Sequence, residues 1–151
     1  MTHKHLPSLL LLLLVVCGGT LLSAQMDTAD PRSFAYTGYL EEGGVPVLLP
    51  HDVQVALFSS ASADTTCLQS DVAGGCGVWA ESHDAVPVAA GRFGLMVGRG
   101  AGAPLTDAVL NENALYLGIA VRQAGDAGSF SVVGGLTELS AVPWAARSAA
   151  A

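Results

Sequence analysis

Trp79, Glu81 and His83 alternate along one stretch of chain, so on an extended backbone they share a face. A ring to stack on, with a carboxylate and an imidazole beside it, is the making of a sugar-binding platform. That version expects Trp79→Ala to abolish glycan binding while the domain still folds. The plainer expectation, which we prefer, is that Trp79 plugs the core or lies against the neighbouring loop, with Glu81 and His83 at a solvated strand end. The two separate on whether Trp79 is buried or exposed beside a groove. Ser82, His83 and Asp84 carry a nucleophile, a base and a carboxylate, yet consecutive strand residues point to opposite faces and cannot form a hydrogen-bonded relay. The sequence contains no Gly-x-Ser-x-Gly elbow, His-Glu-x-x-His helix or phosphate loop, and His51 and His83 are the only histidines beyond residue 24. No catalytic residues are assigned, and an enzyme is not expected. Asp64, Asp71, Asp84, Asp107, Glu112 and Asp126 fall in expected loops without the spacing of a calcium loop, so they are expected to be solvated, with no metal and no cofactor.

The first 24 residues place the chain in the cell. Lys4 precedes an apolar run from Leu9 to Val16, and small residues end at Ala24, the parts of a secretory signal. The run is too short for a bilayer span, so no membrane-spanning segment is expected. Cleavage after Ala24 is preferred. The alternative is lipidation at Cys17, where Leu14-Val15-Val16-Cys17 resembles a lipoprotein box spoiled by the bulk of Val16. The product is secreted or held in the cell envelope, extracellular or periplasmic.

An exported chain meets an oxidising space, and Cys67 and Cys76 remain in it. Gly74 and Gly75 let the backbone turn back, so the two are expected to form a disulfide that staples a surface loop and contributes about 2–3 kcal/mol. Neither Cys-x-x-Cys spacing nor an adjacent histidine points to redox or metal chemistry.

The full chain has a formal charge of −7 at pH 7 and loses its single lysine, Lys4, with the leader. Arg32, Arg92, Arg99, Arg122 and Arg147 then stand scattered against 13 acidic residues. Nucleic-acid binding needs clustered cations that displace counterions from phosphates, so it is excluded, as is electrostatic attraction to an anionic membrane.

The elements that must position these residues are strands. Phe34, Tyr36, Gly38 and Leu40 share one face of a first strand; Val53, Val55 and Leu57 share a face of a second, with Phe58 opposite. Val78 to Val88, interrupted by Pro87, forms a third, Phe93, Leu95 and Val97 a fourth, and Leu115, Leu117, Ile119 and Val121 a fifth. A sixth follows from Ser129 to Val133 and a seventh around Leu136 to Leu139. Glu41-Glu42-Gly43-Gly44, Ala89-Ala90-Gly91 and Gly125-Asp126-Ala127-Gly128 supply turns. Leu105 to Leu110 makes a short helical turn. The fold class expected is all-β, an antiparallel β-sandwich of about six to eight short strands. Its bounds are a leader over 1–24, a linker over 25–32, a sandwich over 33–142 and an alanine-rich tail over 143–151 that starts a helical stub.

Several short motifs follow one another in a telling order: Phe34-Ala35-Tyr36-Thr37-Gly38-Tyr39-Leu40, Gly43-Gly44-Val45-Pro46-Val47, Val55-Ala56-Leu57-Phe58, Trp79-Ala80-Glu81, Val86-Pro87-Val88 with Gly91-Arg92-Phe93, Leu115 to Val121, and Ala141-Val142-Pro143-Trp144-Ala145. From Ser33 to Ala146 the chain resembles the β-sandwich module near the N-terminus of many exported bacterial surface proteins, often followed by collagen-like, coiled-coil or tail-fibre-like regions. The resemblance implies a non-enzymatic surface or assembly module and brings no functional residues with it. The chain ends where the fibrous part would begin, so fibre-like trimerisation is not expected, although self-association through Pro143 to Ala151 is a further option. The function expected is an exported structural or interaction module with a protein or glycan partner; the alternative is a small ligand-binding module, with carbohydrate as its ligand.

Overall fold

Alternating apolar residues build the long strands of the computed structural model, which describes residues 32–139 and among them holds nine strands, one short α-helical turn and two 3₁₀ turns. They run β1 (Phe34–Tyr39), β2 (Glu41–Glu42), β3 (Val45–Pro46), β4 (His51–Phe58), β5 (Trp79–Val86), β6 (Arg92–Val97), β7 (Ala101–Gly102), α1 (Asp107–Leu110), β8 (Tyr116–Gln123) and β9 (Ser131–Glu138). The fold is all-β, with antiparallel sheets. The expected leader over 1–24, the lipidation candidate Cys17, and the expected helical stub and self-association segment over 143–151 lie outside the described residues.

A five-stranded sheet of order β7-β5-β4-β8-β9 forms one layer, and β1 paired with β6 forms the other. Every pairing is antiparallel. Strand β4 lies in the middle of the larger sheet and is buried along almost its whole length. Val53, Val55 and Leu57 face inward to meet Leu117, Ile119 and Val121 of β8, and Phe93, Leu95 and Val97 of β6 close the core from the smaller sheet. Each such side chain, fully withdrawn from water, contributes about 1.5–3 kcal/mol. Gly38 lies opposite Phe93 in the β1–β6 register, and a Cβ there would overlap the Phe93 ring, so glycine is what lets the ring lie across β1.

The opposite face of β4 carries Ala56 and Phe58, which pack with Ala120, Phe130, Leu68, Val72 and Cys76 in a second cluster. Leu68 and Val72 come from two 3₁₀ turns, Thr66–Gln69 and Val72–Gly74, in the segment between β4 and β5. Cys67 and Cys76 are bonded, with Cα atoms 5.5 Å apart, and the expected staple therefore closes this segment over the sheet.

Two details differ from expectation. The sixth and seventh strands are a single strand, β9, interrupted where its pairing with β8 shifts between Leu117 and Ile119; Gly134, at φ 64°, provides the left-handed residue at the irregularity. Glu41 to Gly44 does not join the first two long strands as a simple turn. It forms part of a small β2–β3 hairpin whose central Gly43 and Gly44 both have positive φ, 58° and 80°.

Candidate functional site

The residues proposed from the sequence as a ligand face turn into the molecule. Trp79 is 5% exposed, packs in the inner core, and donates its indole N–H to the carbonyl of Ala103 at 2.8 Å. A stacking platform needs an open ring face, and this ring has none to offer. What little of Trp79 remains accessible borders an open groove of about 510 Å³ beside Val78 and Gly102.

Glu81, two residues on and on the same face, is 1% exposed. Its Oε1 accepts from the Gly98 N–H at 2.8 Å and lies 2.7 Å from His83 Nε2, while Oε2 accepts from the Gly100 N–H at 2.8 Å. Glu81 is therefore not at a solvated strand end. Its carboxylate ties the turn after β6 to β5 through charge-assisted hydrogen bonds, each stronger than a neutral one. Gly100 suits this approach, since a Cβ would stand 3.0 Å from the Glu81 carboxyl carbon and 2.5 Å from the Ser82 carbonyl oxygen. Trp79, Glu81 and His83 do gather, but as a brace inside the sandwich.

Ser82 and Asp84 project to the other side, as strand alternation requires, and border a second, more polar cavity of about 390 Å³. The supposed relay with His83 is thus split across the sheet. The floor of this cavity includes Gln54 of β4 and Arg122 of β8, and its walls come from the disulfide-closed segment and the β8–β9 turn.

Arg122 is held from three sides. Its Nη2 donates to Asp52 Oδ2 at 3.0 Å, Nη1 donates to the Gly128 carbonyl at 3.0 Å, and the guanidinium carbon lies 4.2 Å from the centre of the Phe130 ring. Asp52 and Arg122 are direct partners in the β4–β8 register. Asp52 also accepts the Ala85 N–H at 3.0 Å. That backbone donor, reinforced by Arg122, holds the Asp52 carboxyl below the usual carboxylate range. Ala85 has φ 49°, so the Asp52 bond secures a left-handed residue near the β4–β5 irregularity.

Gln54 is 2% exposed, and its Oε1 has no hydrogen-bond partner; the same holds for Nε of Arg122. Both residues line the cavity floor, with these two atoms withdrawn from solvent beneath it. The sequence analysis missed Asp52, Gln54, Arg122 and Phe130. A signal existed in Asp52 and Gln54, polar residues interleaved with Val53 and Val55 in an otherwise buried strand. Their meeting with Arg122 depends on register between distant segments.

Of the acids expected in loops, Asp84 lies in β5 and Asp107 opens α1, because strand and helix extend further than the local pattern indicated; all six are solvated or locally engaged. Asp64 accepts from the Thr66 N–H, Asp71 from the Ala73 N–H, and Asp107 pairs with Arg32 at 2.8 Å. These donors lower the Asp64 and Asp107 carboxyls below their ordinary values, through Thr66 and Arg32 respectively. Among the described residues no group of three or more His, Cys, Asp or Glu side chains is placed to hold a metal ion, and no helix is long and apolar enough to cross a membrane.

No curated protein and no solved structure matches the chain. A family model matches residues 35–137, from the second residue of β1 to the next-to-last of β9 and hence through both sheets, the disulfide-closed segment and the polar cavity: the chain belongs to the family described as Domain of unknown function (DUF8740).

Proposed function

We propose that this chain is an exported, non-enzymatic structural or interaction module of the bacterial cell envelope or extracellular space, of the kind that stands near the N-terminus of bacterial surface proteins. The observation that carries this reading is the use made of the buried acids. Glu81 accepts two backbone N–H groups and meets His83, and Asp52 accepts one backbone N–H and pairs with Arg122. Groups that elsewhere serve as acids and bases are committed here to bracing turns and strands, which suits a stable scaffold that presents surface to a partner.

The Cys67–Cys76 bond supports an oxidising compartment, and the signal-like leader supports export. Burial of Trp79 favours the structural reading over a glycan platform on Trp79, Glu81 and His83. Partners are a protein or a glycan at the cell surface, and Pro143 to Ala151 is the segment through which copies would associate.

The test is the mass and location of the protein in its native host, with and without reductant. A species beginning at Gln25, outside the cytoplasm and two hydrogens lighter than its reduced form, is the expected result. An acylated species beginning at Cys17 would keep the module in the envelope as a lipoprotein. A cytoplasmic, full-length chain with free thiols would overturn the reading.

A further inference from the structure

Strand β1 has an open edge that nothing in its sequence blocks. Leu40, which continues the strand, donates its N–H to the Gly91 carbonyl at 2.7 Å, and Gly38 and Tyr36 stand in the same phase opposite Phe93 and Leu95. Hydrogen-bonded pairs alternate with unbonded ones along an antiparallel ladder, so Ala35, Thr37 and Tyr39 turn their N–H and C=O groups to the other edge. Among the described residues β1 has no second neighbour there, and all three residues are exposed. The Leu40 carbonyl, on the β6 side, accepts the Val47 N–H at 3.1 Å, so the edge stays open through Glu41. Strand edges are ordinarily shielded by charge, proline or a bulge. β1 holds no charged residue and no proline, and its register with β6 runs unbroken from Phe34 to Tyr39. β9, the other long edge, has both an irregularity around Gly134 and a charge at Glu138.

Position and charge select what fits. Glu81 ties the turn after β6 to β5 through Gly98 and Gly100, so β6 stands on the β5 side and the open edge of β1 faces the β8–β9 side. Two strands oppose five, and Phe34, Tyr36 and Val133 are only half-buried where the smaller layer stops. Antiparallel pairing with a second copy would keep both larger sheets on one side and drive them into each other. A single extended segment lies over Val133 without that clash. Glu41 and Glu42 stand at the end of the edge, exposed and with no ion pair among the described residues, so a segment that fits is basic there. We propose that β1 takes a protein partner by strand addition: an extended segment with apolar residues at alternate positions, facing Tyr36 and Val133, and lysine or arginine beside Glu41 and Glu42. This deepens the interaction-module reading and rests on it for the class of partner. The mass and location of the chain test that reading, and peptide binding tests this one.

The probe is a synthetic peptide of alternating valine and threonine with a lysine pair at each end, titrated into the oxidised, exported chain and read by hydrogen exchange and two-dimensional NMR. In the free chain the amides of Ala35, Thr37 and Tyr39 should exchange about tenfold or more faster than those of Tyr36, Gly38 and Leu40. The peptide should slow the first set saturably and shift the Val133 amide, and the same sequence with an N-methylated backbone should not bind. A peptide ending in glutamate pairs should bind about tenfold more weakly at low salt, and Glu41→Lys with Glu42→Lys should reverse that preference. Thr37→Pro removes a donor on the open edge while sparing the bonds to β6, and should abolish binding. If Thr37→Pro does not fold, the charge reversal at the two exposed glutamates decides. No saturable protection, equal binding of the lysine and glutamate peptides, binding of the N-methylated peptide, or undiminished binding by folded Thr37→Pro overturns the proposal. Protection of Ala35, Thr37 and Tyr39 in the free chain overturns it too: independent of concentration, it puts residues beyond 139 on the edge, and rising with concentration, a second copy.

Discussion

On its inner face the five-stranded sheet is covered by two strands, β1 and β6, and on its outer face by the segment that Cys67 and Cys76 close. The inner cover is continuous and apolar: Phe93, Leu95 and Val97 meet Val53, Val55 and Leu57, and the buried polar Glu81 has a partner on each oxygen. The outer cover is partial. Leu68, Val72 and Cys76 shield Ala56 and Phe58, and beyond them the sheet face becomes Gln54, Ser82 and Arg122 around a water-accessible cavity. The β1–β6 pair turns a row of apolar side chains onto the sheet and leaves little room; a stapled loop can stop short and leave a cavity. The first face is thus an apolar packed layer, and the second keeps an open polar cavity.

The largest break in that comparison is on the inner face. Trp79→Ala removes a buried ring and its bond to Ala103, so unfolding in urea should show a loss of about 3–5 kcal/mol, a large part of the stability of a domain this size. A folded Trp79→Ala variant with near-normal stability would mean that the inner core is not what holds the molecule together.

Replacing both cysteines by serine should cost less, about 2–3 kcal/mol. The loss should be local: in hydrogen exchange, the segment around Leu68 and Val72 should open while β1 and β6 keep their protection. Uniform loss of protection would make the two covers one cooperative unit. Gly118→Ala comes next, at about 1–3 kcal/mol, since its Cβ would stand 2.9 Å from the Phe58 ring, 3.0 Å from Leu68 and 3.1 Å from Leu136. Thermal unfolding should register the loss; no change would mean that the loop layer yields to accommodate a methyl group.

The smallest effect is in the pH dependence. Asp52 has its folded-state pKa lowered, mainly by the Ala85 N–H and then by Arg122, so its contribution is present above the unfolded value of about 4 and is lost as pH falls through the folded value. Asp52→Asn should flatten that part of the stability profile below about pH 4 and cost about 1 kcal/mol at neutral pH. An unchanged acid limb in the variant would assign the dependence to other acids.

Much of the fold was legible because alternation is a local property. Val53, Val55 and Leu57, or Leu115 to Val121, declare a strand and its buried face by their own order. The disulfide was legible because only two cysteines, Cys67 and Cys76, follow residue 24. The site was not. Trp79, Glu81 and His83 were expected at one strand, and they are, but the sequence cannot say which sheet face they adopt. A residue rich in both ring and polar atoms fits equally well inside, with its N–H bonded, or outside on a ligand.

Composition and local pattern thus determined the all-β class, the turn positions, the likeness to a secretory leader, the disulfide and the acidic balance, since each depends on neighbours in sequence or on sums over the chain. Only the tertiary structure decided that Glu81 meets Gly98 and Gly100, that Asp52 stands across from Arg122, and that β9 is a single irregular strand. Those contacts join residues well separated in sequence, by 17 and 19 positions for Glu81 and by 70 for Asp52 with Arg122, where register, not composition, selects the partner. A one-residue slip of β8 against β4 would send Arg122 to the opposite face of the sheet and leave Gln54 without its neighbour.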